Sequence, residues 1–358
     1  MKKYLLTVMA VAGLVSCSNE TDSFNTVDPN EIRVAAQTID ASTKAPLSST
    51  ATNFQAMVLT TQTAGNYTTL YAPNAGKYMK FAEQSGNTDY GFIDADGTDN
   101  KQYYPSSTAS NQNVIVSGLM PAATSTLGES AADVWKYDAG NLSITFDGND
   151  DVMIAKEVTA SKNNNADLVF NHLLTQLVVK VKVTGSADPW GDVTNIVLKK
   201  VGGNTDGDKI YNQFAITGTE LTSGTATVSK TTEAGEDAVK FYKASSTGST
   251  TTFTEDVYKG ANTELSATAT TVAYTLCQAF DVAESATDDV DLVLDVYTTK
   301  YASTPKTVEI DLKPTTGPLS STAGYSFEIT LDFQTNEIMA SAKIVDWKEG
   351  GNGTGTID

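Results

Sequence analysis

The clearest pattern in the chain is alternation. Tyr325, Phe327, Ile329, Leu331 and Phe333 are apolar, and Ser326, Glu328, Thr330 and Asp332 between them are polar. A period of two puts the five apolar side chains on one face of a β-strand. The same pattern recurs at Leu292–Val296, Val308–Leu312 and Ile338–Ile344, with Gln334-Thr335-Asn336 as the turn before the last of these. In mid-chain, Leu177, Val179, Val181 and Val183 share one face, and Gln176, Val178, Lys180 and Lys182 share a face expected to be mostly wet. This strand continues out of Asp167–His172, so Asp167–Val183 reads as a seam between two β-units.

The first half offers shorter strands at Glu31–Ile39, Phe54–Thr60, Lys77–Ala82, Asn113–Ser117, Leu142–Phe146 and Val152–Ala155, with Lys156–Ala166 as a polar connection. Thr194–Val201 and Ile210–Ile216 follow the seam, and Ser245–Thr252 reads as a hairpin tip or exposed loop. The only helical signal is a short one around Ala131, Val134 and Trp135. Many short strands between Gly-, Asn-, Asp- and Ser-rich turns predict an all-β protein of sandwich type. At 358 residues the chain has room for about two such domains. The expected division is residues 31–166 and 167–358.

A formal net charge of −19 excludes a phosphate-backbone partner, which needs clustered Lys and Arg, so no nucleic acid is expected. At the N-terminus, Lys2 and Lys3 precede the largely apolar run Tyr4–Val15. That run is too short for a membrane span of about 20 residues and suits a signal peptide over residues 1–16. Leu14-Val15-Ser16-Cys17 resembles the bacterial lipobox, in which cleavage precedes a cysteine that takes a lipid on its thiol. Cys17 is the expected lipidation site. Ser18 and the acidic residues behind it resemble signals that sort lipoproteins to the outer membrane and the cell surface. Residues 17–30 read as a polar tether.

Catalytic chemistry has few parts to work with. His172 is the only histidine and Cys277 the only cysteine after Cys17. His172 lies beside Phe170 on an apolar face, the setting of a structural histidine, and Cys277 sits in an apolar run. Nucleophile motifs, zinc-ligand sets and phosphate loops are missing from the sequence, so neither an enzyme nor a metal or other non-covalent cofactor is expected. Asp94–Asp99 and Asn204–Asp208 have calcium-like oxygen spacing without the order of an EF-hand loop, and Asp-Gly there is first a turn signal. Trp135 and Trp190 are candidates for stacking a sugar, as is Tyr103-Tyr104-Pro105; core or edge packing is the competing reading.

Four elements, in this order, carry a family resemblance. Asp151-Val152-Met153-Ile154-Ala155 resembles the D-L-M-Y-A element of the fimbrillins, and Phe170-Asn171-His172 resembles their F-x-H segment. Leu276-Cys277-Gln278 is similar to a drifted I-P-Q, and Val345-Asp346-Trp347 closes a strand in the manner of their V-x-x-W. The resemblance implies two transthyretin-like Greek-key β-sandwich domains in tandem, in a surface lipoprotein that is a subunit or accessory adhesin of type V pili. Its implied partners are other pilin subunits, the outer membrane through the lipid, and a host or glycan ligand. It further implies that a protease removes the first strand and that another subunit's C-terminal segment fills the groove, a case of strand addition. Arg33, the only arginine, and Lys44 are the candidate processing sites. The segment after Ile338 is the candidate donor. The rival reading is a monomeric surface lipoprotein that binds glycans or host ligands.

Overall fold

The computed structural model describes residues 30–39, 57–68, 71, 79–83, 90–93, 101–106, 112–120, 135–138, 140–164, 166–202, 209–229, 234–235, 238–247, 250–282, 290–312 and 318–345. The fold is all-β, as the alternation predicts. Seven strands of the first half curl until their two edges meet: β1 (Val34–Ile39), β4 (Tyr90–Ile93), β3 (Met79–Glu83), β2 (Met57–Thr61), β5 (Val114–Met120), β8 (Met153–Ala160) and β9 (Ala166–His172), in that spatial order. Inside them lies a small core of Ile32, Val34, Val114, Val116, Met153, Ala155, Leu168 and Phe170.

Only Leu173 separates β9 from β10 (Leu174–Val183), the strand around which the second half is built. β10 pairs parallel with β18 (Ser326–Phe333) over eight residues and antiparallel with β15 (Thr270–Gln278). β19 (Ile338–Val345) extends the sheet beyond β18, and the hairpin of β13 (Tyr242–Thr247) and β14 (Thr250–Val257) extends it beyond β15. A three-stranded sheet of β11 (Val193–Val201), β16 (Leu292–Thr298) and β17 (Lys306–Ile310) shares its core.

A second three-stranded sheet crosses between the halves. β6 (Trp135–Asp138) and β7 (Asn141–Thr145) come from the first half, and β12 (Gln213–Ile216) comes from the second and pairs along β7. Phe146 and Phe214 meet across it with ring centroids 5.5 Å apart. One hydrophobic cluster therefore runs from Leu59 and Leu119 through Ile144 and Phe214 to Ile329 and Phe333. An interface this apolar resists the hinge motion usual between neighbouring domains.

The structure differs from the sequence reading at several elements. Lys156–Ala160 is strand, not connection: β8 runs on to Ala160 before a turn closed by Ser161 and Asn164. Gln176 and Val178 are buried: Val178 lies in a satellite cluster with Tyr242, Ala244, Phe253 and Tyr274, and Gln176 Oε1 accepts from Ser326 Oγ at 2.8 Å. Trp135 opens a strand, and the one described helix is α1 (Gly218–Ser223). The α1 N-terminus is a capping box: the Thr217 hydroxyl accepts from the Thr219 N–H, and Glu220 accepts from the Thr217 N–H at 2.8 Å. Gly224, at φ +73°, ends it in the left-handed region that glycine enters without a Cβ penalty.

Candidate functional site

The groove occupied by the first segment is the feature best placed for function. Residues 30–32 form a short ladder with 102–104: Ile32 N–H donates to Gln102 O at 2.7 Å and Tyr104 N–H to Asn30 O at 2.8 Å. From Val34 the chain turns parallel to β9 and stays in register for six residues, from Val34↔Ala166 to Ile39↔Asn171. Its other edge meets β4 at Val34↔Tyr90, the one pair among the described residues. The seven-stranded wall is thus closed by β1 between β9 and β4. Ile32 and Val34 fill the interior beneath it and are fully buried.

Arg33 precedes β1 instead of lying inside it, and is 4% exposed. Its Nη2 donates to Glu31 Oε2 at 3.3 Å, and Lys101 Nζ lies 3.9 Å from the same oxygen. A protease cannot reach a guanidinium this buried unless the segment first opens. Cys17, Lys44 and the residues after Val345 lie outside the described residues.

Two of the four motifs that carry the resemblance are neighbours in space. β8 and β9 pair antiparallel so that Met153 faces His172, Ile154 faces Asn171 and Ala155 faces Phe170. His172 Nδ1 lies 2.6 Å from Asp151 Oδ2, and the imidazole is buried. A buried histidine held by one carboxylate stitches the end of β8 to the end of β9. Phe170 reaches across to β5, where a Cβ on Gly118 would lie 2.4 Å from the ring's Cζ. The glycine gives the ring its room. Cys277 lies in the second half, buried, and burial pushes its thiol pKa well up.

The aromatic candidates separate. Trp190 is not a stacking platform. It is 2% exposed, its rings lie 5.5 Å from those of Phe333 and Tyr301, and its Nε1 donates to Gln334 O at 2.6 Å. A Trp placed among apolar strands with a carbonyl in reach buries its rings and satisfies its N–H, which leaves no face for a sugar. The side chain of Trp135 lies outside the described residues. Tyr104 belongs to the first core, where burial raises its phenol to about 12, and Tyr103 is 45% exposed. Both calcium-like loops lie outside the described residues. Among the described residues no cluster of three or more His, Cys, Asp or Glu could hold a metal. Among them no helix is long and apolar enough to cross a membrane.

Sequence reasoning missed the contact between the halves at Glu157. This carboxylate, on β8, accepts from Gly65 N–H at 3.1 Å, Tyr67 Oη at 2.9 Å and Thr222 Oγ1 of α1 at 3.1 Å. Burial, and then the Glu157 charge, drive the Tyr67 phenol far above its ordinary range. Asn171 of β9 donates to Gly224 O at 3.3 Å, so α1 also grips β9. The Thr217-x-x-Glu220 spacing was the available signal for the helix; its docking partner had none.

No family model matches the chain. No curated protein sequence matches it either. Solved structures similar to it include proteins of Bacteroides and Parabacteroides species. One is a candidate cell adhesion protein of Bacteroides ovatus (13% identity, 91% of this chain and 99% of that one, TM-score 0.49). Another is a fimbrial protein of Bacteroides vulgatus (14%, 89% and 100%, TM-score 0.48). A third is a candidate cell adhesion protein of Bacteroides uniformis (15%, 89% and 98%, TM-score 0.46).

Proposed function

We propose that the chain is a cell-surface lipoprotein, anchored through Cys17, that acts as a pilus subunit or accessory adhesin and joins its neighbours by strand addition. The observation that carries this reading is the seating of the first segment. Its loss would leave β9 with an unpaired edge six residues long above two vacated apolar pockets, those of Ile32 and Val34. Such an edge binds an extended segment by main-chain hydrogen bonds and fixes its register by alternate side chains. Its partner is then another subunit of the same kind, and no catalytic step is involved.

The geometry favours Lys44 over Arg33 as the processing site. A cut after Arg33 would leave β1 attached, whereas Lys44 follows Ile39 in the chain and a cut there frees all of β1. The test is mass spectrometry of protein taken from native cell surfaces, read beside its electrophoretic pattern. An N-terminus at Ala45 together with a ladder of oligomers is the expected result. A lipidated Cys17 at the head of a monomer would overturn the shaft-subunit reading and return the monomeric adhesin, whose remaining exposed aromatic among the described residues 101–105 is Tyr103.

A further inference from the structure

Two consecutive lysines stand near the end of β11, where strict alternation would send one of them into the core. A β-bulge prevents this. The register of β11 on β16 skips Lys199: Leu198 faces Leu294, and Lys200 faces Val293. Leu198 and Val201 stay in the second core, and both lysines turn to the outer face, since a bulge re-aims the side chains around it. There they border a cavity of about 360 Å³ together with residues of β16 and β17. Lys200, only 8% exposed, forms part of its wall.

Two rows of side chains cross the sheet beneath the cavity. In the first, Val293 lies between Lys200 and Glu309. Two strand spacings of about 4.8 Å each separate that lysine from that carboxylate, with an apolar floor between them. In the second row, Asp295 lies between Val197 and Thr307. Asp295 Oδ1 accepts from Thr307 Oγ1 at 2.7 Å, and Oδ2 lies 4.0 Å from Lys199 Nζ. The carboxylate is therefore oriented before a ligand arrives, and it keeps lone pairs for one. Half-buried Tyr297 shares this face two residues further along β16.

We propose that the outer face of the β11–β16–β17 sheet binds a neutral saccharide. The site gives the adhesin role proposed above a ligand class, and it rests on that reading for its biological use. Two lysines and two carboxylates leave the lining without net charge, on a chain whose formal charge is −19. An anionic ligand meets repulsion from Asp295 and Glu309 and from the chain as a whole. A sugar hydroxyl donates once and accepts twice, so it uses a carboxylate and an ammonium together. Val290 and Val293 meet the C–H face of the ring, and Tyr297 supplies an aromatic rim. The volume lies near the small end of the roughly 300–1,000 Å³ of ligand sites, which suits a single sugar unit.

Calorimetric titration of the full chain with neutral, sialylated and sulfated oligosaccharides tests this. Binding of a neutral sugar is expected. Asp295→Asn and Glu309→Gln should each weaken it at least about tenfold, because each removes a charged acceptor. Glu309 is exposed, so its variant should unfold thermally as the parent does. The proposal is overturned if the parent binds no neutral sugar, if it prefers anionic glycans or zwitterionic amino acids, or if both variants keep full affinity. Loss of binding in Tyr103→Ala alone would move the site to the first half. Self-association of the parent that both sheet variants abolish would assign the face to a second copy of the chain. Polymers on cells with no sugar binding would sink this inference and leave the subunit reading standing. Sugar binding by a chain that stays a lipidated monomer would do the reverse.

Discussion

β9 and β10 are consecutive strands with the same surroundings and different fates. Each has one parallel and one antiparallel neighbour: β1 and β8 flank β9, and β18 and β15 flank β10. The difference lies in what is buried beside each. β18 is held on its far side by β19 through eight pairs. The inner residues of β18 are all apolar, Phe327, Ile329, Leu331 and Phe333, whereas the approach to β1 carries a buried ion pair. One parallel strand buries an inner face that is wholly apolar, and the other is entered through a buried ion pair. Equivalent position in a fold does not confer equivalent stability; the burial of charge separates the two.

That contrast can be broken or sharpened. The largest effect is expected from shortening a fully buried side chain in β18. Ile329→Ala should cost about 2–5 kcal/mol in urea unfolding and lower protection throughout the second half. Ile32→Ala, equally buried, should instead speed hydrogen exchange in β1 while the β18 amides keep their protection. Equal global losses at the two sites would dissolve the distinction.

Next in size is Gly118→Ala. Its Cβ would overlap the Phe170 ring, and the loss of about 1–3 kcal/mol should fall on the first core, as thermal unfolding would report. Thr217→Ala removes the hydroxyl of the α1 capping box and should cost about 1 kcal/mol. Exchange should rise at Glu157 and Asn171, where α1 docks, if the helix truly steadies the wall behind the groove.

The smallest effect is electrostatic. Burial opposes ionisation of Glu328, but Lys180 at 2.7 Å and Lys343 at 2.8 Å outweigh it and hold its pKa below the ordinary range. A depressed carboxylate contributes stability above its unfolded pKa, about 4.3, and loses it as pH falls through the folded value. Glu328→Gln should therefore lower stability slightly at neutral pH and flatten the acid limb of a stability-against-pH curve, parent and variant converging as pH falls through the folded pKa. A curve that keeps its slope would show that the ladder on the outer face of β10 and β18 adds nothing.

The sequence by itself determined the class of fold and the identity of its best strands. Alternation is a local property, and a strand such as Tyr325–Phe333 needs no partner to declare which face it will bury. The same signal fails where both faces are covered: Gln176 and Val178 read as wet and are buried, Val178 against Tyr242 and Tyr274. It also fails where polar residues continue a strand. Lys156–Ala160 reads as a loop because Lys156 and Glu157 are polar, but Glu157 is engaged by Gly65, Tyr67 and Thr222 from distant parts of the chain.

What functional reading there is divides in the same way. Cys17, Arg33 and Lys44 stand out from residue type and spacing. Only the tertiary structure decided that Arg33 is buried before β1, that Trp190 is core, and that Asp151 and His172, 21 residues apart, are one contact. Pairing register and burial are properties of strands that meet across long stretches of chain, and no local period encodes which strand will lie against which.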